Sequence, residues 1–186
     1  MNEKQLSKFK GAFTGFITLT ICSMLIWQYL HEGVPSHYLL HDPDLPSISN
    51  WWGGLLLPVL SWILTGRIQQ RIIKLSAKNN ISHAKNTLVC FIISIIYGAI
   101  LSFSFINGYE EISSVMFPGI LFFAIFFRVY REEFILGFIL SMSVTFGAVL
   151  PTIFGSLIAI LSAMVYFLIQ FIWSRVKSMA LRKQLS

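Results

Sequence analysis

Apolar residues fall in six runs separated by short polar breaks, at residues 11–30, 51–66, 87–106, 113–127, 134–150 and 152–173. A membrane's hydrocarbon core is about 30 Å thick and is crossed by roughly 20 helical residues. The runs therefore predict an all-α, polytopic membrane protein, a single domain over 1–186 with six transmembrane helices. The first run is too long for a signal-peptide core and lacks a small-residue cleavage site after Tyr29-Leu30-His31-Glu32, so it predicts a retained helix. The fourth is short for a span and interrupted by Pro118-Gly119; the second contains Gly53, Gly54 and Pro58. The interrupted runs do not correspond in two halves, as an inverted-repeat transporter would require.

Polar residues orient this pattern. Lys4, Lys8, Lys10, Arg67, Arg71, Lys74, Lys78, Lys85, Arg128, Arg131, Arg175, Lys177, Arg182 and Lys183 occupy the N-terminus, alternate loops and the C-terminus, and the other loops hold none. The positive-inside rule then puts both termini and the basic loops in the cytoplasm and residues 31–50 and 107–112 outside, with a bacterial inner membrane as the expected location. Trp51-Trp52 reads as an interfacial anchor. Residues 66–86 are polar and basic and read as an extension of the second helix or a segment along the inner surface, with Arg67, Arg71 and Lys74 reaching toward headgroups.

Composition changes the picture little. A 55% apolar chain with mean hydropathy +0.72 is membrane material, and its net charge of +6 reflects topology and anionic lipid rather than nucleic acid. Cys22 and Cys90 lie at different depths, so no disulfide is expected. Small residues at four-residue spacing, Gly137, Ser141 and Thr145 on the fifth run and Ser156, Ala159 and Ala163 on the sixth, predict a close antiparallel pair, with Phe138 facing lipid. Arg128 and Glu133 are expected to pair locally within the second basic turn. No clear charge lies within the spans, which argues against an ion-coupled pump.

Candidate chemistry concentrates in the outer loops: His31, Glu32, Ser36, His37, His41, Asp42, Asp44 and Asn50, with Glu110 and Glu111 from the next outer loop. Histidine is the commonest transition-metal ligand and titrates nearest neutral pH. The histidine spacing matches no closed zinc motif, and Ser36-His37 lacks the G-x-S-x-G elbow of a hydrolase. No metal, cofactor or catalytic residue is assigned. A rim of carboxylates and histidines without basic groups favours cations. The leading expectation is an outward-facing pocket, with these ten residues at its mouth, that binds or conducts a small solute or cation. Two alternatives come from other classes. One is an integral-membrane enzyme acting on a lipid or lipid-linked substrate at the outer leaflet, with His37 or His41 as base and Asp42 or Asp44 as orienter; the other is a structural subunit of a membrane complex. Expected partners are membrane lipids and a small-molecule or cation ligand, with self-association into a homo-oligomer left open.

Overall fold

The computed structural model describes residues 3–31, 33–38, 44, 46–76, 82–126 and 128–184. The order is α1 (Glu3–His31), β1 (Ser36–Tyr38), β2 (Ser47–Ser49), α2 (Trp51–Ser76), α3 (Ser82–Ile106), α4 (Glu110–Phe126), α5 (Glu132–Phe146) and α6 (Val149–Gln184). The all-α class holds, at about 87% helix. Three helices are long and apolar enough to cross a membrane: Lys4–His31, His83–Ile106 and Val149–Arg175. This is consistent with a membrane protein. By contrast, α4 and α5 have only 17 and 15 residues, short of the roughly 20 of a full span.

The boundaries follow from local chemistry. Helix α2 runs unbroken through Arg67, Arg71 and Lys74 to Ser76, and Pro58 lies inside it. Helix α3 ends at Gly108 (φ 73°), where the Gly108 amide donates to Phe105 O and that of Tyr109 to Ser104 O. This is the double bond of a glycine-terminated helix, which needs a left-handed residue. Gly147 (φ 69°) ends α5, and α6 begins two residues later. The α5–α6 hairpin is as expected, but its turn is Gly147-Ala148, and Pro151 sits inside the first turn of α6, where the missing N–H costs nothing.

Contacts along the helices fix two ends of the bundle. Lys10 meets Gly66 and Ile21 meets Gly53, so α1 and α2 are antiparallel. Ser94 meets Gly137 and Ser141 meets Gly98, so α3 and α5 are parallel, with α4 returning between them. One end gathers the N-terminus of α1, the C-terminus of α2 and the N-termini of α3 and α5. This is the basic end; the β-hairpin lies at the other.

The shortest helix is the most enclosed. On one side of α5, Ile139 joins Ile21, Leu25, Leu57 and Ala148; on the other, Phe138 and Met142 join Leu101, Ile120 and Ile158. Phe138 is 2% exposed, which corrects its expected lipid-facing position. The reason is the stripe beside it. Gly137 and Ser141 face α3, not α6: a Cβ on Gly137 would lie 2.8 Å from Phe91 O and overlap the Ser94 hydroxyl, and one on Gly98 would overlap that of Ser141. Packing α5 against α3 turns Phe138 inward. Helix α6 meets α5 through Gly155, which lies against Ile139 and Phe138, while Ser156 is exposed.

Candidate functional site

At the hairpin end, β1 and β2 pair antiparallel with Ser36 opposite Ser49, His37 opposite Ile48 and Tyr38 opposite Ser47. The predicted loop is thus partly a two-stranded ribbon. Its base is clamped where the Asn50 amide donates to Pro35 O at 3.0 Å. Asn50 then caps α2, its carbonyl accepting from the Gly53 amide at 2.8 Å. The residue is 7% exposed. With Ile48 and Ser49 it lines a seam whose other wall is Phe146, Gly147, Val149 and Leu150 at the α5–α6 turn. In this conformation the seam is too tight to admit a water molecule.

The N-termini of two long helices open at this seam, α2 at Trp51 and α6 at Val149, and neither first turn contains an acidic residue. Helix N-termini present free amides and the positive end of the helix dipole. The Asn50 side chain makes no hydrogen bond among the described residues.

The other predicted site residues are not drawn together. His31 ends α1, its ring stacked on Trp27 (centroids 4.6 Å) and its Nδ1 2.9 Å from Trp27 O. A carbonyl only accepts, so Nδ1 carries a proton. Ser36 lies in β1, and Asp44 and Glu111 are exposed. His37 and Glu110 have described backbones but lie outside the described side chains, and Glu32, His41 and Asp42 lie outside the described residues altogether. Among the described residues no three His, Cys, Asp or Glu side chains gather in a metal-holding group.

A denser constellation stands at the basic end. Arg71 donates from Nη1 to Glu132 Oε2 at 2.8 Å and from Nη2 to Glu133 Oε2 at 2.5 Å, with Thr87 Oγ1 3.5 Å from the same Nη2. Arg67 Nε is 3.4 Å from Glu132 Oε1, and Arg131 Nη1 is 3.7 Å from Glu133 Oε1. That last separation is an ion pair but too long for a hydrogen bond, so Glu133 Oε1 is buried without a hydrogen-bond partner among the described residues. Glu133 is fully buried. Both acids lie in the first turn of α5, where the helix dipole favours them.

This arrangement corrects two expectations. Arg71 does not reach for headgroups; it joins α2 to α3 and α5. Nor do Arg128 and Glu133 pair: Arg128 stacks over Tyr166 at 5.1 Å, while burial turns Glu133 to α2. The signal available in the chain was Arg67 and Arg71 four apart on one face of α2 beside the adjacent acids Glu132-Glu133. Burial chiefly, with smaller contributions from Tyr166 and Glu132, pushes the Tyr130 hydroxyl above its ordinary range, against the opposing pull of Arg128 and Arg131.

Comparison with protein-family models, curated proteins and solved structures finds no match.

Proposed function

We propose that the protein is a six-span integral protein of a bacterial inner membrane, with both termini cytoplasmic, that binds or conducts a small solute through a pocket opening at the hairpin end. The observation that carries this reading is Asn50: a polar side chain, 7% exposed, lining the seam where the N-termini of α2 and α6 meet. An amide side chain and the positive ends of two helix dipoles suit a solute with acceptor groups. The exposed carboxylates Asp44 and Glu111 at the same end suit a positive charge. Together they support a small zwitterion or cation rather than an anion, and binding requires the closed seam to widen.

The test uses purified protein in liposomes with radiolabelled glycine, choline and acetate as probes. Glycine or choline is expected to enter faster than into protein-free liposomes, acetate no faster, and Asn50→Leu is expected to abolish the difference. Uptake of both probes at the protein-free rate, or full uptake by Asn50→Leu, would overturn the reading.

A further inference from the structure

A second binding feature lies at the opposite end and does not depend on the solute reading. The ammonium of Lys10 sits 3.6 Å from the centre of the Trp62 ring. It also lies 3.1 Å from the point where Gly66 would carry a Cβ, so the missing side chain lets it settle against α2, one residue from Arg67. Arg67 is the most exposed arginine of the charge cluster: its Nε approaches Glu132 at 3.4 Å, and its side chain is 66% exposed. Three arginines there face two glutamates, leaving one positive charge in excess, and Lys10 adds another. Trp62 is half exposed. Thr65, beside Gly66, is buried with a hydroxyl that has no hydrogen-bond partner among the described residues.

We infer that the α1–α2 groove at the basic end binds the phosphate of an anionic phospholipid headgroup, held by Lys10 and Arg67 with Trp62 as its lipid-facing wall. A bilayer interface is where an indole and two basic side chains are satisfied together: the ring lies at headgroup level and the charges meet phosphate. Arginine adds a planar fork that matches phosphate oxygens, and lysine a point charge. Inorganic phosphate shares this chemistry, but the indole wall opens to the apolar exterior of the bundle and favours a lipid.

The experiment is native mass spectrometry of the full chain, extracted from vesicles of equal phosphatidylglycerol and phosphatidylcholine. Wild type is expected to retain phosphatidylglycerol preferentially. Each basic group near a membrane surface contributes about fivefold in affinity, so Lys10→Gln with Arg67→Gln should weaken retention about 30-fold. Lys10→Gln alone, which removes the ammonium over Trp62 and leaves the arginine–glutamate pairs in place, should weaken it about fivefold and guards against misfolding of the double variant. Lys10→Arg should retain the lipid. Arg182→Gln with Lys183→Gln in the tail should change nothing. Equal retention of phosphatidylcholine, undiminished retention in both Lys10→Gln variants, or displacement of the lipid by added inorganic phosphate would overturn the proposal.

Discussion

Two glycines show how position decides what one atom does. At Gly137 a methyl would collide with the Phe91 carbonyl and the Ser94 hydroxyl, both held by the α3 backbone. Gly137→Ala should therefore destabilise the protein by about 1–3 kcal/mol, as overpacking does. Gly15 in α1 has nothing within 4 Å of an added Cβ, so Gly15→Ala should gain up to about 1 kcal/mol from helix propensity. Thermal midpoints in detergent separate the two; equal shifts would dissolve the argument. Phe138→Ala should cost about 3 kcal/mol on the same scale, the lower part of the Phe→Ala range, because lipid supplies little of the transfer term. Tyr130 makes a pH prediction. Its pKa is raised in the folded state, so the folded protein holds this proton longer than the unfolded chain. The contribution is full below the ordinary tyrosine pKa of 10.0 and is lost as pH rises through the higher folded value. Tyr130→Phe should flatten the alkaline loss of stability, measured by thermal unfolding between neutral and strongly alkaline pH.

Helices differ in how much of them could be read in advance. The apolar runs mark where α1 and α3 end, at His31 and Ile106, but both helices begin several polar residues earlier, at Glu3 and Ser82, and the α5–α6 hairpin was legible although its turn is Gly147-Ala148 rather than Pro151. What escaped was partner choice. A small-residue stripe shows that a close neighbour exists without saying which helix it is, and Ser141 meets Gly98 of α3 where the small stripe of α6, Ser156, Ala159 and Ala163, was expected. The charge cluster escaped for a related reason: an arginine at a helix end looks the same in sequence whether it meets phosphate or a carboxylate sixty residues away. At the hairpin end, the accumulation of polar groups next to Pro and Gly singled out Asn50 as a candidate, but its burial depends on the α5–α6 turn, which no local pattern relates to it. Because Arg71 joins three helices, Arg71→Gln should leave Glu133 buried with only a distant Arg131, at a cost of about 3 kcal/mol, the low end for a broken buried pair. Replacing Arg71 and Glu133 together by Met and Leu should cost less than Arg71→Gln alone. Additive losses in that double-mutant cycle would show that the pair is not coupled.

For the molecule as a whole, the orientation across the membrane is the property to test first. With Cys22 and Cys90 replaced, a cysteine at Ser47 should react with an impermeant thiol reagent added to intact cells, and one at Ser82 should react only after the membrane is opened. Labelling at position 82 in sealed cells would invert or dismantle the assignment. The parallel contact between α3 and α5 also constrains how the protein is made. Helices enter the bilayer in the order they leave the ribosome, so α3 must wait through the synthesis of all of α4 before the helix that fits its Ser94–Gly98 groove exists. During that interval Arg71 has neither carboxylate and the groove meets lipid. The nascent chain therefore passes through a stage in which four helices are synthesised and α1 can pack on α2, but α3 lacks its principal partner. Arrival of α5 supplies both carboxylates to Arg71 and fills the α3 groove in one step, so a chain that stops before residue 132 lacks both contacts at once.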